Sequence, residues 1–271
     1  MNLIEKRMVG ILTDLRDHCG VTSLKAEFEA EASRMNELMR LKEIADSCDV
    51  GLLIKIGGAE DISHIFDALH LGVTSINAPM IETPFAASKF YKCLGKYIQA
   101  EDLEDINISI NIETDTAHKN LEGILDQKDA KILDSITVGR VDMTDSMGLT
   151  RNDINSERVY KICEDIFTKS KKRGLDTGLG GGISTDAIDF LSRLGKADLI
   201  DKYETRKIVF TNVDETWEEI NKGIMKAVEF ETLWLENKRN YYRTIACEDD
   251  TRIEMLNKRL QKVITNSDNS C

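Results

Sequence analysis

From Val21 to Phe210 the chain alternates between short apolar runs and longer segments with helical spacing. A short run of aliphatic and β-branched residues reads as a buried strand. A segment whose apolar residues recur every three or four positions reads as an amphipathic helix. Strands are expected at 21–29, 51–58, 73–80, 106–113, 134–139 and 175–182, with a last extended stretch at 201–210. Helices are expected at 32–48, 59–72, 115–127, 155–173 and 185–194, the last capped by Ser184. One more should start at Thr83-Pro84, where threonine suits the N-cap and proline the first helical position. Strand followed by helix, repeated, builds a parallel sheet with helices outside, because parallel neighbours need a crossover. No GxGxxG turn follows the first strand, so a (β/α)8 TIM barrel is favoured over an open doubly wound sheet. Seven strands are legible. The eighth lies either near the N-terminus or within 201–210.

The flanks depart from this rhythm. Residues 2–17 read as an extra N-terminal helix stopped by Gly20. After 211, a capping-box pattern at Asn212–Glu215 opens a stretch whose apolar residues recur as far as Leu260, more helix than one barrel repeat needs. The expected division is a barrel at 1–211, a final helix and arm at 212–263, and a disordered tail at 264–271. An exposed apolar stripe on such an arm implies a homo-oligomer.

The net charge of −12 argues against nucleic acid or an anionic membrane as partner, so an acidic substrate needs local cations in a pocket. No segment is apolar enough to span a bilayer, and the charged, amphipathic start is not a leader. Six scattered cysteines with no CxxC pair read as reduced thiols, which fits a cytoplasmic protein.

In a barrel of this kind the C-terminal strand ends converge on one face. They deliver Lys25, Glu27 and Glu29 from the first strand, and Lys55 with Gly57-Gly58 from the second. Pro79 and Glu82 come from the third, Asn111 and Glu113 from the fourth, Arg140 and Asp142 from the fifth. Gly180-Gly181-Gly182 with Ser184 come from the sixth, and Glu204, Arg206 and Lys207 from the last stretch. Glu113 and Asp142 on neighbouring strands offer two carboxylates with no paired histidine or cysteine. That donor set suits a hard cation such as Mg²⁺ or Mn²⁺. Each carboxylate also has a bland reading, as a helix-cap or first-turn residue. Lys55, flanked by Ile54 and Ile56, must direct its charge into the site or snorkel. Gly181 and Gly182 either bind an anion at the following helix or simply permit tight packing. The four histidines fall in or beside helices and read as surface or packing residues.

The segments "AEFEAEASR", "IKIGG", "APMIETPFA", "NIET", "VGRVDMT" and "GLGGGIS", in this order, resemble the aldolase/citrate lyase superfamily of metal-dependent pyruvate aldolases and acyl-CoA lyases. The resemblance covers about residues 20–210 and is most specific at "NIET" and "VGRVDMT". It implies a (β/α)8 barrel, Glu113 and Asp142 as ligands of a divalent metal, and a pyruvate-like enolate held on that metal. It also implies C-terminal helices exchanged between subunits. Three departures stand out. Ala30 occupies the position of an acid–base histidine, Lys55 that of a substrate-gripping arginine, and Arg140 adds a cation beside the metal. On this reading Lys25, Glu27 and Glu29 carry proton transfer, and Lys55, Arg140, Gly181 and Gly182 bind substrate. The expected activity is carbon–carbon lysis of a small 2-oxo acid, a sugar acid among the candidates. The alternatives are acyl-CoA or citrate-lyase-like chemistry and a non-catalytic binding protein.

Overall fold

The computed structural model describes residues 1–213 and 215–268. Helix α1 (Leu3–Cys19) precedes strand β1 (Val21–Glu27). Then follow α2 (Met35–Asp46), β2 (Gly51–Lys55), α3 (Ile62–Leu71), β3 (Ser75–Ala78), α4 (Pro84–Tyr97) and α5 (Ala100–Glu104). Next come β4 (Asn107–Asn111), α6 (Asp115–Lys119), α7 (Leu121–Leu125), β5 (Ser135–Gly139), α8 (Arg140–Ser146) and α9 (Glu157–Lys171). The series ends with β6 (Asp176–Gly180), α10 (Ile188–Lys196), β7 (Lys202–Glu204), β8 (Ile208–Phe210) and α11 (Trp217–Asp268). The strands close into one eight-stranded barrel in sequence order.

Strands β1 to β7 pair in parallel, with Leu24 beside Leu52, Ile54 beside Ile76 and Ile110 beside Ile136. These residues are fully buried, and they face the helices. The alternate positions turn inward. The run expected as one strand at 201–210 is a hairpin that supplies both β7 and β8, and it locates the eighth strand. Thr205 folds the chain back: its N–H donates to the Ile208 carbonyl at 2.9 Å and its hydroxyl accepts the Ile208 N–H at 3.2 Å. Strand β8 therefore runs antiparallel to both β7 and β1, with no helix before it. The barrel is closed by a hairpin, so Thr205, Arg206 and Lys207 sit on the face where the parallel strands end.

Local chemistry sets most boundaries. Thr83 caps α4 as expected, accepting the Ala86 N–H, with Pro84 in the first turn. Asn2 and Glu5 form a capping box on α1, and Gly20 ends it at φ 62°. Two local expectations fail. Ser184 makes no side-chain cap bond, and a short 3₁₀ turn at Thr185–Ala187 separates it from α10. The cap of α11 lies at Thr216, whose hydroxyl exchanges bonds with Glu219, four residues beyond the expected box. Asn212 instead accepts the Tyr203 hydroxyl at 3.1 Å.

Helix α1 packs along α11, where Met8, Leu12, Leu15, Ile220, Ile224 and Phe230 are buried. Full burial of each such side chain contributes about 1.5–3 kcal/mol, so the first half of α11 is firmly tied to the barrel. Past Trp234 the ties are polar. Asn237 donates to Glu5 at 3.2 Å, Lys238 pairs with Glu37 at 3.0 Å, and the Tyr242 hydroxyl donates to Glu37 at 2.6 Å. From 243 to 262 every residue except Met255 is exposed. The tail expected at 264–271 is helical as far as Asp268, and residues 269–271 lie outside the described residues. Among the described residues, Cys19, Cys48, Cys93 and Cys163 are buried free thiols and Cys247 is an exposed one. No helix among them is long and apolar enough to cross a membrane.

Candidate functional site

The barrel lumen is polar, and its contacts reach across non-adjacent strands. The Lys25 ammonium on β1 lies 2.7 Å from Glu204 on β7, and Lys202 on β7 donates to the Ser135 hydroxyl on β5 at 3.0 Å. Lys55 at the end of β2 lies 3.5 Å from Glu113, just past β4. Asn77 donates to Ser109 at 2.7 Å, while Asn77 Oδ1 and Thr137 Oγ1 are buried without a protein partner.

Glu113 is the centre of the strand-end face. It is 1% exposed. Its Oε1 accepts the Met80 N–H at 3.0 Å and its Oε2 accepts Asn111 Nδ2 at 2.8 Å. Met80 reaches it from a left-handed backbone with φ 52°. That conformation costs a non-glycine residue about 1–2 kcal/mol, and here it aims an N–H at the carboxylate. Burial raises the Glu113 pKa despite Lys55, and the charge of Asp142 raises it further. Gly139 leaves room for this carboxylate, since a Cβ there would lie 2.5 Å from Glu113 Oε2. Asp142 is exposed and belongs to the first turn of α8, which starts directly at Arg140. The helix therefore begins earlier than expected, and Asp142 is held by a helix turn rather than by a strand end.

Around Glu113 runs a chain of ion pairs. Lys55 lies 3.2 Å from Glu29, and Lys25 lies 3.1 Å from Glu27. Arg206, on the closing hairpin, reaches Glu27 at 3.1 Å, and Lys207 pairs with Glu31. Burial alone would lower the Lys25 and Lys55 pKa values, but neighbouring carboxylates outweigh it and both are raised. Burial would raise Glu27, yet Lys25 and Lys55 hold it below the ordinary carboxylate range. Both shifts favour the charged forms, and Lys25 and Glu27 form an electrostatic frame at this face. Glu29 is exposed and pairs with Lys55 from the solvent side.

Arg140 is not where a substrate cation should be. It is 0% exposed. Its guanidinium donates to the carbonyls of Gly180 and Gly182, each at 3.3 Å, and to Asn155 Oδ1 at 2.5 Å. It also lies 4.8 Å over the Phe190 ring. Burial pulls its pKa down to about 10. The residue is a latch between α8 and the glycine turn. The same contacts explain the glycines. Gly181 has φ 72°, and a Cβ on it would lie 2.5 Å from the Arg140 backbone nitrogen. Gly181 thus allows close backbone packing, and Gly182, at φ 68°, makes room for the Ile154 side chain, which agrees with the second of the two readings open from sequence.

The donor set fits a divalent cation. Among the described residues no group of three or more histidine, cysteine or acidic side chains is arranged to hold an ion, so a dedicated all-protein cage is absent. Two neighbouring carboxylates that repel each other, one of them buried, suit Mg²⁺ or Mn²⁺, which commonly take one or two carboxylates and leave other positions to water and substrate. Two features of the rim escaped the sequence reading. His64 stacks on Phe28 at 4.0 Å between ring centroids, and its Nδ1 lies 2.6 Å from Asp61, so this histidine orders the rim beside Gly57. Arg206 is delivered to this face by the last stretch, but the turn that places it beside Glu27 was not legible. The polar run Glu204-Thr205-Arg206-Lys207 between Tyr203 and Ile208-Val209-Phe210 was the available sign of a turn.

Comparison with known proteins now has a geometry to meet. Residues 30–180 match the profile of the HpcH/HpaI aldolase/citrate lyase family. No match is found among curated proteins. Of solved structures, an HpcH/HpaI aldolase/citrate lyase family protein from Burkholderia cenocepacia J2315 is 15% identical, with a TM-score of 0.57 over 72% of this chain and 81% of its own. An HpcH/HpaI aldolase from Desulfitobacterium hafniense DCB-2 is 16% identical, with a TM-score of 0.57 over 73% of this chain and 79% of its own. The citrate synthase SbnG is 15% identical, with a TM-score of 0.56 over 71% of this chain and 88% of its own. Identities this low speak to the fold alone, and the fold agrees. With more than half of its length inside the matched profile, the chain belongs to the HpcH/HpaI aldolase/citrate lyase family.

Proposed function

We propose that the chain is a metal-dependent carbon–carbon lyase of the aldolase type acting on a small 2-oxo acid. One observation carries this reading: a buried Glu113, held by Met80 and Asn111 against Gly139, feels the charge of Asp142 and has the Lys55 ammonium 3.5 Å away. Glu113 and Asp142 would hold the divalent metal. When bound, it polarises a 2-oxo carbonyl and stabilises the negative charge that develops as the carbon–carbon bond breaks or forms. The other roles fall to the chain's own side chains. Lys55 and the half-exposed Arg206 neutralise the substrate carboxylate. Lys25, Glu27 and Glu204 fix the field beneath them. Glu29, beside Lys55 and open to solvent, accepts the substrate hydroxyl proton in the cleavage direction, in a site where Ala30 offers no imidazole.

The test uses pyruvate in D₂O with Mg²⁺ or Mn²⁺. Metal-dependent exchange of the methyl protons is expected by NMR, and Mn²⁺ binding by calorimetry. Glu113→Gln and Asp142→Asn should abolish both while leaving the melting temperature within a few degrees. Metal and ligand binding without any exchange would favour a non-catalytic binding protein. Full exchange in both variants would sink the assigned site.

A further inference from the structure

The charged groups of the strand-end face come from β1, β2 and the closing hairpin. The loop after β3 brings an apolar one. Met80 is 43% exposed, while Pro79 and Ile81 on either side of it are buried. The loop is pinned further on, where the Glu82 carboxylate accepts the Thr114 hydroxyl at 2.7 Å and the Glu82 carbonyl accepts the Asn120 amide at 2.9 Å. The Met80 N–H is engaged by Glu113 Oε1 at 3.0 Å. Covalent geometry then keeps Met80 Cβ within about 5.5 Å of that oxygen. A flexible thioether side chain therefore starts beside the buried carboxylate and opens to solvent.

The fold has no use for this side chain. It takes no part in the hydrophobic core. The backbone at φ 52° disfavours it, and glycine would deliver the same N–H without the left-handed penalty of about 1–2 kcal/mol. Among the described residues, the other non-glycine positions with positive φ are Ala32, Asp49 and Asp198, all small or polar. A large apolar residue held there, exposed next to a buried polar centre, has the character of a ligand-pocket wall.

We propose that Met80 is a specificity-determining residue whose side chain receives a hydrocarbon portion of the substrate, the part that leaves or enters as the aldehyde. The inference rests on the lyase reading above, in which the oxo-acid end is held at Glu113 and Lys55. It narrows the substrate class to 2-oxo acids with an aliphatic or aromatic tail, away from sugar acids. Sugar hydroxyls set against a thioether would lose water without gaining hydrogen-bond partners. Methionine adapts its three rotatable bonds to tails of different outline, so the selection is for apolarity and not for one shape.

Two measurements on the full chain test this. The first is Mg²⁺-dependent addition of the pyruvate methyl carbon to the carbonyl carbon of hexanal or of glyceraldehyde. The unaltered chain should prefer hexanal by at least about tenfold in kcat/KM, the scale of selection by an apolar pocket. Met80→Gly and Met80→Asn both suit a left-handed backbone and should remove most of that preference, chiefly through the KM for hexanal. Met80→Leu, which restores an apolar side chain, should keep it to within about threefold. The preference is a ratio within one variant, so a change at Glu113 common to both aldehydes cancels. The second measurement needs no turnover. In methyl-labelled methionine NMR with Mg²⁺, the Met80 signal, assigned by its loss in Met80→Leu, should move far more with phenylpyruvate than with pyruvate. A preference for glyceraldehyde, an unchanged ratio in Met80→Gly, or bound phenylpyruvate with a still Met80 signal would each overturn the inference and leave the lyase reading standing. Failure of both acids to bind would overturn the lyase reading and this inference with it.

Discussion

Replacing Gly139 by alanine tests the site through a single methyl group. The added Cβ would lie 2.5 Å from Glu113 Oε2 and 3.0 Å from Glu113 Cβ. Ordinary contact begins near 3.4 Å, so the carboxylate must retreat by about 0.9 Å. It cannot do so freely, because Oε2 is held by Asn111 Nδ2 at 2.8 Å and Oε1 by the Met80 N–H at 3.0 Å. A retreat of that size breaks the Asn111 bond and strains the other. Losing one or two buried, charge-assisted bonds costs about 1.5–3 kcal/mol each, so the variant should be about 2–4 kcal/mol less stable in denaturant unfolding. Moving one of two ligating carboxylates should weaken Mn²⁺ binding at least tenfold by calorimetry. Gly58→Ala is the control, since a Cβ there meets nothing within 4 Å. If Gly139→Ala binds Mn²⁺ as tightly as the unaltered chain and unfolds at the same denaturant concentration, Glu113 does not occupy the place assigned to it.

Arg140→Met should lower stability by about 2–4 kcal/mol, because the carbonyls of Gly180 and Gly182 and the Asn155 oxygen lose their donor. Binding of oxalate or pyruvate should change little in the folded fraction, and a large loss of binding with unchanged stability would return Arg140 to the pocket. Lys55→Met should do the reverse, weakening oxalate binding by about 1–2 kcal/mol with the fold intact; calorimetry and thermal melting separate the two effects. The ties between α11 and the barrel should be acid-sensitive. Burial would raise Glu5 and Glu37, but Arg40 and Asn2 at one, and Tyr242 and Lys238 at the other, hold both below the ordinary 4.5. A depressed folded-state pKa gives stability that is present above the unfolded value and is lost as pH falls through the folded one. Hydrogen exchange in residues 235–242 should therefore accelerate below about pH 4.5, and Glu37→Gln should remove most of that pH dependence. A pH-independent exchange rate would contradict the assignment.

What could be read from sequence was what local pattern controls. The βα rhythm, the Thr83-Pro84 start of α4, the N-terminal helix and the arrival of Glu113 at a strand end all follow from spacing and capping. Whatever depended on distant partners was out of reach. Arg140 looks like a free cation because nothing near it in sequence neutralises or buries it. Its partners lie about forty residues away, at Gly180 and Gly182. Asp142 looks like a strand-end residue because β-branched residues precede it, yet Gly139 releases the chain straight into α8. Lys25 and Glu27 read as proton carriers only if burial alone tunes them. Burial does act on both, but each neutralises the other's desolvation, and Glu204 completes the frame.

The closing hairpin links the fold to the chemistry. An eighth βα unit would have carried the chain away from the strand-end face along an outer helix. Turning back at Thr205 keeps Arg206 and Lys207 on that face, and strand β8 still completes the hydrogen bonding of β7 and β1. Arg206 reaches Glu27 and Lys207 reaches Glu31, so the hairpin tip ties down the loop that follows β1. That loop carries Glu29 and Ala30, the position where the resemblance had implied a histidine. Lys207 also lies 5.8 Å from the Trp234 ring, so the tip rests on the barrel-anchored half of α11. The residue change at position 30 and the topological change at 205–207 thus meet at one place. A loop without its imidazole is held by two cations from a hairpin, and one of them, Arg206, keeps enough exposure to meet a carboxylate arriving from solvent.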